Sequence, residues 1–202
     1  MNAGAIVGIV FGVIALVVIG TVMWFVGIYN TLVGLRNQVK NAWANIDVQL
    51  KRRHDLIPNI VETVKGYASH ERETLENVIK ARSMAVNAVG KGVGEQAKAE
   101  SNFSQAISRL LVVCEQYPNL KANEVFMDLQ GQLKDTEDKI SLSRQYYNDQ
   151  VLQYNNSIQM FPSNIVAGMF HFTIADFFKT ETPEDREVPK VSFAKPSPAQ
   201  NN

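Results

Sequence analysis

Residues Ala3–Ile28 read AGAIVGIVFGVIALVVIGTVMWFVGI, and no Asp, Glu, Lys or Arg occurs from Met1 to Leu35. A helix that rises about 1.5 Å per residue needs roughly 20 apolar residues to cross the hydrocarbon core of a bilayer, so this stretch is long enough to span it. A secretory signal peptide has a charged first region and a shorter apolar core of roughly 7–15 residues, and the sequence shows neither. We therefore expect residues 1–30 to form a transmembrane anchor that is not cleaved.

The charges that flank the apolar stretch predict its orientation. Arg36 and Lys40 follow the stretch and the cluster Lys51–Arg53 lies further on, whereas only the α-amine precedes it. Because translocation disfavours Lys and Arg, we expect the N-terminus outside and the C-terminal domain in the cytoplasm, which makes this a single-pass protein of the cell membrane. The rings of Trp24 and Tyr29 at the end of the stretch are typical of the headgroup layer.

Four glycines line part of the apolar stretch at intervals of four or eight residues: Gly4, Gly8, Gly12 and Gly20. Small residues at a four-residue spacing let two membrane helices approach closely, and such helices associate through close packing. We therefore interpret these four glycines as a self-association face. The alternative is that glycine is simply common in membrane helices, and the sequence alone leaves it open.

The residues after the anchor follow the pattern of long amphipathic helices. Apolar residues recur every three or four positions from Thr31 to Tyr67, which predicts a helix that continues the anchor and carries one buried stripe. Pro58 predicts a kink in this helix instead of a full break. The predicted fold class is all-α: an N-terminal single transmembrane helix followed by an antiparallel helical bundle with long helices over residues 31–179. Residues 180–202 are rich in Pro, Ser, Glu and Asn and are expected to form a disordered tail.

Capping and turn residues predict the bounds of the other helices. Ser69 is the expected N-cap of a second helix, which ends near Val89 at a glycine-rich turn. A third helix is expected over residues 95–116 and a fourth over residues 123–158. The segment 161–178 is rich in Phe and is expected to bury those rings.

Five sequence blocks follow one another in a distinctive order within residues 29–178. They are NIDVQLKRRHDLIPN at 45–59, VETVKGYA at 61–68, YPNLKAN at 117–123, YN at 154–155 and FPSN at 161–164. These blocks closely resemble those of the bacterial LemA family. The chain departs from the family pattern at Asn119, where Asp is usual, and at His171, where glycine is typical. The resemblance implies a single N-terminal membrane anchor and a cytoplasmic-type helical bundle, and it brings no established reaction.

The sequence lacks the residue spacings that two metal-binding motifs of enzymes require. His70-Glu71 would need a second His at position 74 for a zinc-protease helix, and Thr74 is there. No His follows a Glu by three positions, as a di-iron site of the ferritin type requires. We therefore predict no catalytic residue, no metal and no cofactor. The single cysteine, Cys114, lies among Leu and Val and is expected to be buried.

Charged residues concentrate at one place, the cluster Lys51, Arg52, Arg53, His54 and Asp55. Arg53 falls on the apolar stripe of its helix, and a buried arginine must be paired. Asp47, Asp55 or an acid on the fourth helix could supply the partner, which favours a structural lock of the bundle. The alternative is contact with anionic lipid headgroups or with a partner protein.

The balance of charge and the predicted fold narrow the function classes. Lys plus Arg and Asp plus Glu both number 20, so no net charge attracts nucleic acid, and we expect no nucleic-acid partner. The first hypothesis is a non-enzymatic single-pass protein of the bacterial inner membrane that self-associates as a scaffold or organiser. The alternative is an adaptor or regulator that binds another membrane protein, such as a protease. The expected partners are thus the lipid bilayer, further copies of this chain and, in the alternative, a membrane protein.

Overall fold

The computed structural model describes residues 3–179 of the chain. Six helices make up about 84% of this range: α1 (Ala3–Lys65), α2 (Arg72–Ala88), α3 (Val93–Cys114), α4 (Pro118–Lys121), α5 (Glu124–Gln159) and α6 (Ser163–Met169). No strand occurs among the described residues, so the predicted all-α class is confirmed. The predicted disordered tail at 180–202 lies outside the described residues.

Helix α1 joins the apolar stretch to the bundle without interruption. It has 63 residues and is therefore about 95 Å long at the usual rise. Residues 7–24 are exposed, and the buried stripe of the helix begins at Leu32. Pro58 lies inside α1, and the helix continues past it to Lys65, so the proline does not break the helix.

The long helices run antiparallel, as predicted. Arg53 on α1 contacts Glu137 on α5, and Trp43, earlier on α1, contacts Tyr147, later on α5. The two helices therefore pass each other in opposite directions along most of the bundle. Helices α2 and α3 form a hairpin that packs beside them. The turn of this hairpin contains Gly90 at φ +81°, a backbone conformation that glycine adopts without strain.

Three predicted helix bounds are wrong, namely the start of α2 and both ends of α3. Helix α2 begins at Arg72 with Glu71 at the N-cap, so Ser69 does not cap it. The cause is Ala68, which is fully buried and donates its N–H to the Val64 carbonyl at 2.8 Å, so a turn closes α1 before the next helix can begin. Helix α3 begins at Val93 and ends at Cys114, two residues earlier than predicted at each end.

Asn123 and Cys114 lie at helix ends, and the expectation that Cys114 is buried is confirmed. The side chain of Asn123 caps α5 by accepting a hydrogen bond from the Phe126 N–H at 2.9 Å. Cys114 is buried, and its burial raises the pKa of the thiol to about 11. The short helices α4 and α6 were not predicted, because four and seven residues are too few to show a helical period.

The core consists of two clusters, one at each end of the bundle. The distal core, far from the apolar stretch, joins α1 to α2, α3, α4 and α5 and contains residues such as Ile57, Val78, Phe103, Leu110 and Phe126. The proximal core, next to the apolar stretch, joins α1 to α5 and α6 and contains residues such as Leu32, Ile46, Ile140, Val151 and Val166. The hairpin of α2 and α3 contributes only Ala97 to the buried part of the proximal core.

The Phe-rich segment buries its rings only in part. Phe178 is buried in the proximal core, and Phe172 and Phe177 pack against its edge. Phe161 and Phe170 are exposed, so the expectation that the segment buries its rings is wrong for these two. The physical reason is their position, because both lie at the end of the bundle where no further helix covers them.

Candidate functional site

A layer of charged side chains lies inside the bundle, between the proximal and distal cores. The charge layer consists of Arg53 and His54 on α1, Glu100 on α3 and Glu137 on α5. The side chains of Arg53 and Glu100 are fully buried and that of His54 nearly so, whereas Glu137 reaches the surface. On α1 the layer falls between the last residue of the proximal core and the first residue of the distal core.

Arg53 is the centre of the charge layer. Its Nη1 donates to Glu137 Oε1 at 2.7 Å and to Ser104 Oγ at 2.8 Å, and its Nη2 donates to Glu100. The guanidinium also lies over the ring of Phe103, 5.2 Å from its centre, which is within the distance of about 6 Å at which a cation is attracted to an aromatic face. One buried cation thus links three helices through two carboxylates.

Glu100 is ionised within this layer. Burial raises its pKa, but the hydrogen bond from His54 and the positive charge of Arg53 outweigh burial, so the pKa lies below its ordinary value. A carboxylate only accepts hydrogen bonds, so Nε2 of His54 is the donor to Glu100 Oε1 at 2.9 Å. The His54 ring is further held against Phe103, with ring centroids 5.5 Å apart.

Two further arginines surround the layer. Arg82 on α2 donates from Nε to the His54 carbonyl at 2.6 Å, so α2 is also tied to this level of the bundle. Arg144 on α5 lies over the ring of Phe178 at 4.7 Å. Burial and the charge of Arg53 lower the pKa of Arg144. Its Nε and Nη2 atoms have no hydrogen-bond partner among residues 3–179.

The predicted charge cluster divides between the inside and the outside of the bundle. Arg53 and His54 point inward, whereas Lys51 and Asp55 form an exposed pair with each other at 2.9 Å. Arg52 reaches Asp135 on α5 only at 3.8 Å, and both side chains are about half exposed. Asp55 is therefore not the partner of Arg53, and the expected acid on the fourth long helix is Glu137.

Asp47, the other proposed partner of Arg53, instead accepts a hydrogen bond from Gln96 at 3.0 Å. Six residues separate Asp47 from Arg53, which at 100° per residue places the two side chains on different sides of α1. Glu100 was missed altogether. It lies on α3 between the apolar residues Ala97 and Phe103, and an acid inside such a stripe is the signal that could have revealed it.

The chemistry of the charge layer is that of a lock between helices. Removing one member of a buried ion pair leaves the other charged and unpaired, which typically costs about 3–5 kcal/mol. A shift of one helix along another would separate these partners, so the layer sets the register of α1, α3 and α5. Within residues 3–179, no three His, Cys, Asp or Glu side chains form a group that could hold a metal ion.

A second polar feature, missed at the level of sequence, holds the end of the described chain. Residues 173–179, here named the C-terminal strap, run without regular structure along α5. The side-chain amide of Asn155 pairs with both the N–H and the carbonyl of Ala175 at 2.9 Å, and Asn148 pairs in the same way with Phe178 at 2.8 and 3.2 Å. These two amides are seven residues apart, so they face the same side of α5.

Two tyrosines beside the asparagines complete the clamp on the strap. Tyr154 donates to the Thr173 carbonyl at 2.9 Å, and Tyr147 donates to the Asp176 carbonyl at 2.8 Å. Burial, with a smaller effect of the charge on Asp176, raises the pKa of Tyr147 to about 12. The repeated Tyr-Asn pair at a spacing of seven residues was the visible signal in the sequence.

His171, at the position where the family typically has glycine, adopts a glycine-like backbone. Its φ is +53°, in the left-handed region. It follows α6 in a Schellman motif, because the Phe172 N–H bonds to the Ala167 carbonyl at 2.9 Å and the His171 N–H bonds to the Gly168 carbonyl at 3.3 Å. The local backbone therefore keeps the shape that glycine favours, at some cost in strain.

The predicted glycine face lies on the exposed first part of α1. Gly8, Gly12 and Gly20 are exposed, as is Gly4 nearer the start of the helix. A Cβ added at any of the four would meet no heavy atom of the described chain within 4 Å. These positions therefore have no packing role among residues 3–179 of one chain.

Together these features define a class: an all-helical bundle, locked by a buried charge layer, that continues an apolar N-terminal helix long enough to span a membrane. The LemA family model matches residues 42–193, about three quarters of the sequence. The chain belongs to the LemA family.

The chain is similar to magnetosome proteins named MamQ and to a protein named LemA. It is 25% identical over 184 residues to Magnetosome protein MamQ 2 of Paramagnetospirillum magneticum and 23% identical over 184 residues to Magnetosome protein MamQ of Magnetospirillum gryphiswaldense. Each of these matches covers 79% of this chain and 68% of the relative. It is also 28% identical over 143 residues to Protein LemA of Metamycoplasma hominis, a match that covers 71% of this chain and 65% of the relative.

Proposed function

We propose that this protein is a non-enzymatic, single-pass protein of the bacterial inner membrane that self-associates as a scaffold, with its bundle on the cytoplasmic side. The observation that carries the proposal is the continuity of α1 from an exposed apolar part into the buried stripe of the bundle. A rigid connection of this kind transmits the position of the membrane helix directly to the bundle.

The exposed part of α1 supports the membrane anchor. Every large apolar side chain described from Val7 to Trp24 is half exposed or more. Apolar surface in water costs about 25 cal/mol per Å², so this row of side chains needs a cover that residues 3–179 do not supply. A bilayer supplies one over the whole length of the row.

The absence of a reaction is supported by how the chain uses its buried ionisable groups. The two charges buried deepest, Arg53 and Glu100, neutralise each other, and His54 is held by the same carboxylate. Both oxygens of Glu100 are engaged, one by Arg53 and the other by His54, so this carboxylate is committed to contacts within the bundle. The geometry of these groups favours a rigid bundle, which suits a scaffold.

The cytoplasmic location of the bundle rests on Arg36 and Lys40, the first cations after the apolar row. A reporter enzyme that is active only in the periplasm, fused after Asn202, should be silent. The same reporter fused before Met1 should be active. Activity of the C-terminal fusion would overturn the proposed orientation.

Self-association through the anchor is tested by filling the glycine face. Replacement of Gly4, Gly8 and Gly12 by leucine adds side chains that meet nothing within the described chain, so the bundle should stay folded while the particle mass in native detergent falls. The matched control replaces Val10, Val13 and Val17, on the opposite side of the helix, by leucine and should leave the mass unchanged. Equal masses for both variants and the wild type would overturn self-association through the glycines.

The alternative, an adaptor for another membrane protein, is favoured by one surface feature. An open groove lies between the end of α1 and α2, and its lining combines three apolar side chains, Val61, Leu75 and Ile79, with polar and charged ones. Purification of the full chain in native detergent separates the two functions. Copies of the chain alone support the scaffold, whereas one other protein at a fixed ratio supports the adaptor.

A further inference from the structure

Two uncharged stretches, far apart in the sequence, meet at the proximal end of the bundle. No Asp, Glu, Lys or Arg occurs in residues 1–35 or in residues 150–175. The second stretch carries the end of α5, all of α6 and the start of the strap. Its Phe170 ring lies 4.6 Å from the ring of Tyr29 on α1, so the two stretches are in direct contact.

The turn between α5 and α6, together with α6 itself, presents a concentrated apolar surface. We name residues 160–170 the apolar elbow. Five of its eleven residues are large apolar side chains that are at least half exposed: Met160, Phe161, Ile165, Met169 and Phe170. Phe161 is 79% exposed, more than any other large apolar side chain described in the chain. Exposed apolar side chains gathered in one patch mark an interaction site.

The elbow lies at the level where the apolar helix leaves its predicted bilayer. Phe170 contacts both Phe25 and Tyr29, whose rings end the apolar stretch. Ser163, at the start of α6, lines the same small groove as Trp24 on α1. The elbow therefore stands beside the last turns of the anchor, where aromatic rings are typical of the headgroup layer.

Arg36, the first cation after the anchor, lies just beyond the elbow on the side away from the anchor. The Arg36 guanidinium lies over the ring of Phe172, 5.1 Å from its centre, just past the end of the elbow. Arg36 follows Tyr29 by seven positions, a rise of about 10 Å along the helix, which is enough to cross one headgroup layer of roughly 5–7 Å. An arginine at this depth can reach lipid phosphates while the elbow remains on its apolar side.

We propose that the apolar elbow inserts into the interfacial layer of the same bilayer that α1 spans. The bundle then has two membrane contacts, the anchor and the elbow, and rests on the membrane in one orientation. This inference relies on the membrane anchor of the proposed function. Lipid is the occupant because the elbow continues the exposed apolar surface of the anchor, carries no charge and is bordered by aromatic rings and an arginine.

The test compares spin labels at single cysteines in the full chain, reconstituted into phosphatidylcholine–phosphatidylglycerol vesicles. Cys114→Ala removes the native thiol, and labels are then placed at Phe161→Cys in the elbow, Leu142→Cys on the middle of α5 and Val18→Cys in the anchor. Leu142 is the matched control, because it is an apolar residue of the bundle that is 68% exposed. Collision rates with oxygen, which enriches in lipid, and with a water-soluble nickel chelate report the surroundings of each label.

The proposal predicts that the label at position 161 collides severalfold more with oxygen than with nickel, as the label at position 18 does, and that the label at 142 shows the reverse. Met169→Cys gives a second reading within α6, where the side chain is exposed and its replacement leaves the core intact. Labels at 161 and 169 that behave like the label at 142, with position 18 in lipid, would overturn the elbow and leave the anchor standing.

Two other outcomes would also decide the matter. A label at 161 that is shielded from both oxygen and nickel, with a broadened spectrum, would show a protein partner or a second copy on the elbow and would overturn lipid insertion. Nickel access at position 18 would overturn the anchor itself, and the proposed function with it. The two failures are thus distinguishable.

Discussion

The distal and proximal halves of the bundle cover their apolar cores in different ways. In the distal half, α1, α2, α3 and α5 surround a core made almost wholly of helix-to-helix contacts. In the proximal half the hairpin of α2 and α3 ends, and α1 and α5 continue with α6 and the strap as their cover. The strap has no regular structure and therefore no apolar face of its own. Its position over the core depends on hydrogen bonds between side chains of α5 and the backbone of the strap. The proximal half is also the one that faces the proposed membrane.

The largest expected effect comes from the layer between the two halves. Arg53→Ala should lower the free energy of unfolding by about 3–5 kcal/mol, because it leaves the Glu100 carboxylate buried without its arginine and bonded only to His54. Denaturant unfolding of the full chain in mild detergent, followed by circular dichroism, measures the loss. Arg52→Ala removes the neighbouring, half-exposed charge and should cost less than about 1 kcal/mol. Equal losses for the two variants would contradict the assignment of Arg53 as the lock.

The clamp on the strap should matter to the proximal half alone. Asn155→Ala removes both hydrogen bonds to Ala175 and should cost about 1–3 kcal/mol. Hydrogen exchange should quicken in residues 173–179 and leave α2 and α3 unchanged. Asn156→Ala, at the exposed neighbouring position, is the control and should leave the strap protected. Faster exchange in α2 as well would show that the two halves unfold as one unit.

Acid should weaken the charge layer through Glu100. Because the pKa of Glu100 is lowered in the folded protein, its contribution to stability is present above the unfolded value of 4.5 and is lost as the pH falls through the folded value. Glu100→Gln should therefore be less stable than the wild type at neutral pH, and the difference in unfolding free energy should shrink as the pH falls below 4.5. A difference that stays constant from neutral to acidic pH would show that Glu100 carries no depressed pKa.

The smallest expected effect has the opposite sign. His171→Gly should stabilise the protein by up to about 1 kcal/mol, because glycine adopts the left-handed backbone of this position without strain. Thermal unfolding of the full chain in detergent should show a small rise in midpoint. The control is His70→Gly, in the turn before α2, where the backbone has no positive φ to relieve. A fall in midpoint for the His171 variant would mean that its side chain contributes more than the strain costs.

The sequence predicted the parts of the fold that depend on periodicity. The apolar stretch and the stripes of α1 and α5 extend over many turns, so their helices and their antiparallel packing were predictable. Arg53 was predictable as a buried residue because it interrupts such a stripe. Its partners were less so: Asp55, two residues along, points to another side of α1, and Glu100 lies on a helix whose rotation the sequence does not specify.

The strap over the proximal core could not be predicted from the sequence, for a different reason. The strap has no period of its own, so nothing in residues 173–179 indicates which face of α5 it contacts. The partners on α5 do follow a pattern, since Asn148 and Asn155 lie seven residues apart, but polar residues on a helix usually face water. Only their two-bond contacts with the strap show why they lie on the inner face.

The most direct test of the account is hydrogen exchange along α1 in the full chain, embedded in a lipid nanodisc. If one helix runs from the membrane into the bundle, every amide from Phe11 to Lys65 should exchange slowly, except at Pro58, which has no N–H. This includes the amides between Tyr29 and Arg36, where the exposed apolar row gives way to the buried stripe. Rapid exchange confined to residues 29–36 would show a hinge between anchor and bundle, and would contradict the rigid continuity on which the proposed function rests.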